Sequence, residues 1–269
     1  MSDFDLNAGT TDFYQDVAYY DHEFKNRKAD VRWYAQRYVD AGSPVLEMAV
    51  GSGRIALKAV RQGAQVVGVD LAQPMLDMAE KQRQKLPAGK RDGLTLIQGD
   101  MRSFDLGQTF DLVTCPFNAF QHMYTREDAE RCLAVARRHL KPDGTFIMDI
   151  LTPDLEYLLR SPYKKYQGVR FLHPTHRSFY TYSEQSAYDP VSQINQMWFH
   201  YDRCNAGGQG PESYVIQLSH RYYFPQEIKA MLHYNGFEIV QIYGDFEEGP
   251  LEDESESIVL VCRLSESSR

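Results

Sequence analysis

The stretch that most restricts the fold of this chain is Pro44-Val45-Leu46-Glu47-Met48-Ala49-Val50-Gly51-Ser52-Gly53, an apolar β-rich run ending on two closely spaced glycines. A helical pattern follows at once, from about Arg54 to Arg61, which is how a strand–turn–helix unit opens. The alternation then repeats. Gln65 to Asp70 reads as a second strand, and Pro74 to Lys85 as a helix with Met75, Leu76 and Ala79 at helical spacing. Leu94 to Ile97 reads as a third strand ending at Gln98-Gly99-Asp100, and Phe110 to Cys115 as a fourth. Thr125 and Asp128 have the form of a capping box ahead of the apolar stripe Ala129, Cys132, Leu133, Ala136 and Leu140. Lys141-Pro142-Asp143-Gly144 is expected to turn into a fifth strand, Thr145 to Ile150. Short strands alternating with helices imply a parallel sheet covered on both faces.

Residues 152–224 break this pattern. Val169 to Tyr182, Gln193 to Cys204 and Ser213 to Tyr223 are strand-like and succeed one another directly, which reads as an antiparallel insertion. It follows a strand whose carboxyl end opens on the side where such sheets bind ligands, so it is placed to cover a crevice. Its tyrosines, among them Tyr163, Tyr166, Tyr180, Tyr182, Tyr201, Tyr214, Tyr222 and Tyr223, suit a pocket wall, an interface or plain packing. The helical pattern resumes from Pro225 to Asn235, closed by Gly236, and two strands follow at Phe237 to Tyr243 and Ser257 to Cys262. The acidic stretch from Glu247 to Glu256 between them reads as a solvated hairpin loop.

A length of 269 residues suits one α/β domain with an insertion, or two small domains. The net charge of −8 speaks against a nucleic-acid partner, whose phosphates are held mainly by Lys and Arg. Cys115, Cys132, Cys204 and Cys262 are widely spaced, with no CxxC pair, so reduced thiols are expected rather than disulfides or a zinc ribbon. The apolar runs stop well short of the roughly 18 residues a membrane span needs. Met1-Ser2-Asp3-Phe4-Asp5 carries neither the basic flank nor the apolar core of a secretory signal, so a cytoplasmic location is expected.

Glycines after a strand let the backbone approach a ligand, and the helix that follows offers unpaired N–H groups to an anionic or carboxylate group. Gly51, Gly53 and Ala56 satisfy the G-x-G-x-x-G/A dinucleotide pattern, and Asp70 stands near the spacing of an acid that holds ribose hydroxyls. Glu47 argues against a dinucleotide, because a carboxylate at the lip of the turn repels a pyrophosphate and welcomes an ammonium group. Asp100 beside Met101 suits an adenine amino group and its ring face.

These segments resemble the class I S-adenosylmethionine-dependent methyltransferases. Val45 to Arg54 resembles their glycine-rich first motif, Gly68-Val69-Asp70-Leu71 with Met75-Leu76 the second, and Gly99-Asp100-Met101 the third, while Phe110-Asp111-Leu112-Val113 resembles the strand leading to the active site. The likeness covers about residues 44–150 and 225–264, with one departure: the usual small residue after the first acid is replaced, giving Glu-Met-Ala-Val-Gly-Ser-Gly. The implied fold is α/β, a Rossmann-like doubly wound, mostly parallel seven-stranded sheet with the antiparallel β insertion forming a lid. The parts are an N-terminal helical lid segment (1–42), the cofactor-binding core (43–151), the insertion as substrate cover or interface (152–224), and a C-terminal helix and strands completing the core (225–269).

The resemblance implies S-adenosyl-L-methionine as cofactor, with S-adenosyl-L-homocysteine as its product. Glu47 and Gly51 would lie near the methionine part, Asp70 at the ribose, and Asp100, Met101 and Leu71 around the adenine, with Gly53 in the same cofactor-binding set. Arg54 is placed in the same set, its rival reading being a helix-start arginine paired with a surface acid. The run Phe13 to His22 resembles the lid helix of this family. Tyr14, Tyr19 and Tyr20 compete there for the cofactor carboxylate or sulfonium; Tyr20 is assigned to binding and Tyr14 to the reacting groups. Pro116 to Met123 resembles the Asn/Ser-rich segment ending in His of small-molecule N-methyltransferases, including those acting on amino sugars. Asn118 would then hold cofactor or substrate, and His122 would take a proton from the attacking atom or else be a packed structural histidine.

The expected reaction is in-line methyl transfer to a small-molecule acceptor, with amine nitrogen preferred to oxygen. No metal is required, no clustered ligand set is visible, and a homodimer stays open. Other readings are non-methyl or intramolecular chemistry on the same cofactor, a cofactor-binding module without catalysis, and last a nicotinamide oxidoreductase.

Overall fold

The computed structural model describes residues 5–204 and 207–266. In chain order its elements are α1 (Leu6–Thr11), α2 (Val17–Glu23), α3 (Ala29–Asp40), β1 (Val45–Met48), α4 (Arg54–Gln62), β2 (Val66–Asp70), α5 (Gln73–Arg83), α6 (Ala88–Arg91), β3 (Leu94–Gln98) and β4 (Phe110–Cys115). There follow α7 (Arg126–Arg138), β5 (Leu140–Leu151), α8 (Leu155–Leu158), β6 (Tyr166–Leu172), β7 (Phe179–Asp189), β8 (Ile194–Arg203), β9 (Ser213–Arg221), α9 (Pro225–Tyr234), β10 (Phe237–Tyr243) and β11 (Ser257–Leu264). They fall into two compact units, one of Met1–Asn26 with Pro153–Tyr222 and one of Arg27–Thr152 with Tyr223–Arg269.

The second unit is built on a seven-stranded sheet in the order β10-β11-β5-β4-β1-β2-β3. β1 to β5 run parallel, and β11 lies antiparallel between β5 and β10. Alternate residues of each strand feed two buried layers, which is why the central strands read as nearly unbroken apolar runs. Leu46, Met48, Val113, Phe146 and Met148 join one layer with residues of α7 and α9, such as Leu133 and Leu232. Val45, Leu112, Ile147 and Val259 join the other with Trp33, Tyr34, Tyr38 and Ile55 of α3 and α4. The strand order reverses at β1, whose neighbours are β2 and β4, and a crevice beyond the carboxyl ends of those strands is the usual consequence.

The expected turn at Lys141-Pro142-Asp143-Gly144 lies inside an extended β5. Pairing with β4 passes from Phe110↔Leu140 to Leu112↔Thr145, so these four residues bulge out of the ladder. Pro142 has no N–H to give to that ladder, which makes the bulge its natural place.

The first unit holds an antiparallel sheet in the order β6-β7-β8-β9. The run from Val169 to Tyr182, read from sequence as one segment, is two strands separated at His173–Ser178. Pro174 interrupts pairing there, and Arg177 adopts a left-handed φ of 53°. The run from Phe13 to His22 is likewise two pieces, because Asp16 starts a new helix by accepting the Tyr19 N–H at 2.9 Å. The interior is aromatic: Tyr180 and Tyr201 are fully buried, and Tyr201 stacks on Tyr214 at 4.7 Å.

Candidate functional site

The carboxyl ends of β1, β2, β3 and β4 bring most of the expected residues together. At the tip of β1 the chain passes through left-handed conformations at Ala49 (φ 58°), Gly51 (φ 56°) and Gly53 (φ 82°) before α4 begins. A side chain at Gly51 would meet open space, so this backbone faces room rather than packing. The opposite holds at Gly68 on β2, where a Cβ would lie 2.7 Å from Val50, so only glycine lets the turn settle on the neighbouring strand. Asp70, half-buried at the end of β2, accepts the Gly51 N–H at 2.7 Å and the Ala72 N–H at 2.8 Å, tying the turn to the second strand. Burial raises its pKa against those hydrogen bonds.

Glu47 is 2% exposed. Its Oε2 is buried without a hydrogen-bond partner, and burial pushes its pKa up to about 8, with Tyr38 and Arg54 drawing it back. A buried carboxylate oxygen with no donor is costly, and a cation is the partner such a group calls for. Arg54 opens α4, where the helix dipole disfavours a cation. It is retained by Asp30, itself 3% exposed, at 3.3 Å, by the Arg27 carbonyl at 3.1 Å, and by the Phe117 ring, whose centroid lies 4.5 Å from the guanidinium carbon. Its acid partner is thus a buried one, on α3.

The third acid is arranged differently. Asp100 is held by Arg102, which donates from Nη2 to Oδ2 at 2.6 Å and from its backbone N–H to Oδ1 at 2.8 Å. This pairing keeps the carboxyl below its usual range. Met101 beside it is half-buried against the core, and Leu71 across the strand ends is 49% exposed, leaving an apolar face open.

After β4 the chain makes a loop that sequence reasoning located without finding its support. Phe117 and Asn118 both adopt left-handed φ angles, 59° and 60°, which non-glycine residues hold only when the surroundings compel them. The compelling group is Asp149 on β5. Its Oδ1 accepts the Phe117 N–H at 2.9 Å and the Tyr34 hydroxyl at 2.7 Å, while its Oδ2 accepts the Asn118 N–H at 3.2 Å. Burial raises the Asp149 pKa to about 6, and the three donors hold it from rising further. Gln121 accepts the Leu151 N–H at 3.1 Å and Tyr223 donates to the Met123 carbonyl, so the loop is held along its length. Asn118 is 8% exposed and its Oδ1 has no partner. His122 lies within 3.1 Å of the Tyr124 hydroxyl, and burial pulls its pKa down to about 4.

Tyr14 and Tyr20 belong to the first unit. Tyr20 is buried among Phe13, Tyr14 and Phe24, with ring centroids at 6.0, 5.8 and 4.9 Å.

The sheet order, the turn after β1 and the acids at successive strand ends coincide with a match of residues 45–144 to the family described as Methyltransferase domain. This stretch is a class I S-adenosylmethionine-dependent methyltransferase domain. Among relatives of this chain, the cypemycin N-terminal methyltransferase of a Streptomyces species is 34% identical over 123 residues, 46% of this chain and 48% of that protein. The dTDP-3-amino-3,6-dideoxy-alpha-D-glucopyranose N,N-dimethyltransferase of Streptomyces fradiae is 25% identical over 127 residues, 47% of each chain. The match thus spans about half the length of each of these two proteins. The solved CcbJ methyltransferase from Streptomyces caelestis superposes over 88% of this chain and 96% of its own, with a TM-score of 0.75 and 25% identity.

The residues at these strand ends fit S-adenosylmethionine on this chain's own terms. An unpaired buried oxygen of Glu47, open space at Gly51 and an exposed apolar Leu71 are what a cationic sulfonium and ammonium group, a closely approached chain and a ring face require. The nicotinamide reading falls with this.

Proposed function

We propose that the chain transfers the methyl group of S-adenosylmethionine to the nitrogen of a small-molecule amine. The observation that carries the reading is the buried Glu47 oxygen without a partner, at the end of the strand where the sheet order reverses. In this reading Glu47 faces the cofactor's ammonium end, the turn at Gly51 and Gly53 admits its chain, Asp70 accepts from its ribose, and Met101 and Leu71 flank the adenine. Asp100 shares its carboxylate between Arg102 and the adenine edge. The bound cofactor supplies a methyl carbon made electrophilic by its sulfonium.

The protein's part is alignment and exclusion of water, worth up to roughly 7–11 kcal/mol in favourable intramolecular systems. Asn118 offers its unpaired Oδ1 to an amine N–H. His122, neutral at pH 7 because burial lowers its pKa, accepts a second N–H and turns the nitrogen lone pair toward the methyl carbon. The names of the relatives, one an N-terminal methyltransferase and one an amino-sugar N,N-dimethyltransferase, support nitrogen and make an amino sugar the first acceptor to try. The net charge of −8 supports a small acceptor over a nucleic acid. Among the described residues, no helix is long and apolar enough to cross a membrane.

Methyl-labelled S-adenosylmethionine, offered with amino sugars, amino acids and short peptides, is expected to yield labelled amine and S-adenosylhomocysteine. His122→Ala should lower kcat by about 10²–10⁴-fold. Methylthioadenosine as the product, or no binding of S-adenosylhomocysteine by calorimetry, would overturn the reading.

A further inference from the structure

The first unit brings together three side chains that the methyl-transfer reading does not use. Asp16 precedes α2, and His173 and His176 lie in the turn between β6 and β7. One ligand atom from each residue lies within 4.8 Å of the other two. His173 is 1% exposed and sits between two rings, with Tyr19 stacked at 5.2 Å and His176 at 4.2 Å. His176 Nδ1 is buried without a hydrogen-bond partner. Asp16 divides its work: Oδ1 accepts the Tyr19 N–H and, at 2.9 Å, the Thr175 hydroxyl, while Oδ2 faces His173 Nε2 at 3.9 Å.

That last separation is the informative one. It is too long for a hydrogen bond, yet two ligands of one zinc ion at about 2.0–2.1 Å stand roughly 3.3 Å apart. A carboxylate and two imidazoles gathered this closely without bonding to one another lack a shared partner. Burial favours the neutral form of His173, the form in which imidazole ligates. The groups facing it are Asp16, His176 and His22, together with the Tyr19 and Tyr180 rings.

We infer that Asp16, His173 and His176 bind one divalent transition-metal ion of the zinc type, joining the start of α2 to the β6–β7 turn. A set of two imidazole nitrogens and one carboxylate oxygen favours zinc and its neighbours over magnesium or calcium. Binding closes the His173–Asp16 gap by about half an ångström and tilts His176 out of its stack, which provides its orphaned nitrogen with a partner. It also moves the His173 proton to Nδ1, so the Thr175 and His176 amides that now approach that atom at 3.3 Å turn away. Water completes the coordination. No clustered ligand set is visible in the sequence, because Asp16 meets the two histidines only through folding.

The test uses the full chain, stripped with a chelator and titrated with Zn²⁺ by calorimetry and with Co²⁺ by visible absorption. One equivalent is expected to bind, with a rise in Tm, and His176→Gln and Asp16→Asn should each weaken it by about 100-fold while leaving the metal-free Tm unchanged. Asp16→Asn keeps an N-capping oxygen, so loss of metal without loss of fold isolates the ligand role. Should either variant fail to fold, zinc protection of His173 and His176 from diethyl pyrocarbonate in the native chain, read by mass spectrometry, decides. No saturable binding, equal binding by both variants, or no protection of the two histidines would overturn the inference. The methyl-transfer assay takes no part, so this result and that reading stand or fall separately.

Discussion

Two residues at the end of β1 carry most of the site's tension. Glu47 has a folded pKa of about 8 against an ordinary 4.5, so between those values the native protein retains a proton that the unfolded chain has released. Its contribution to stability is therefore full below pH 4.5 and is lost as pH rises toward 8. A cationic ligand reverses the balance, because it favours the ionised carboxylate. Affinity for S-adenosylhomocysteine, whose ammonium group remains, is expected to rise by up to about tenfold per pH unit below 8 and then level off. Calorimetric titrations from pH 6 to 9 should show this slope in the native protein and a flat, weaker profile in Glu47→Gln, which should also melt a few degrees higher at pH 9. Ala49 poses a different strain. Its φ of 58° places a Cβ where the left-handed conformation costs an L-residue roughly 1–2 kcal/mol. Ala49→Gly is expected to stabilise by about 0.5–1 kcal/mol after the entropy glycine adds to the unfolded chain, seen as a higher urea midpoint at unchanged slope.

Helix α3 links three parts of the site. Asp30, Tyr34 and Tyr38 recur every four residues and so share one face, and they meet Arg54, Asp149 and the Glu47–Thr114 pair respectively. Through Asp149 this helix governs the Phe117–Asn118 loop. Protonation of Asp149 replaces one of its acceptor sites with an O–H, so kcat is expected to fall as pH drops below about 6. The Tyr34 hydroxyl holds that pKa down; Tyr34→Phe should therefore move the acid limb to higher pH and cost about 1–3 kcal/mol of stability, while a merely structural hydroxyl would leave the limb in place. Rate–pH profiles of the two proteins distinguish these outcomes. Asp149→Asn should abolish the limb altogether.

At the scale of the molecule, the distribution of thiols reports the fold. Cys115 and Cys132 lie in the layer between β4 and α7, Cys262 is buried on β11, and Cys204 is exposed beyond β8. The hydrogen bond to Cys132, together with burial, raises the pKa of Cys115, and burial raises that of Cys262, which further slows their reaction as thiolates. A thiol reagent is expected to modify one cysteine quickly and the other three only with denaturant. Peptide mapping that finds Cys115 or Cys262 labelled early would contradict the packing described above.

The sheet and the turn and acids at its strand ends were legible because their signals are local. An apolar run, a glycine turn and a strand-end acid each follow from a few consecutive residues whose backbone geometry depends on their own side chains, so Glu47, Gly51, Gly53, Asp70 and the Pro116–Met123 loop could be located from the chain alone. What holds that loop could not. Asp149 reads as one polar residue in a strand and Tyr34 as one aromatic in a helix, and their pairing exists only because parallel strands β4 and β5 lie side by side under α3. The same is true of Asp16 meeting His173. Local sequence determines which conformations are cheap; charge pairing, burial and the resulting pKa values depend on distances across the fold, and those are set only when the hydrophobic layers close.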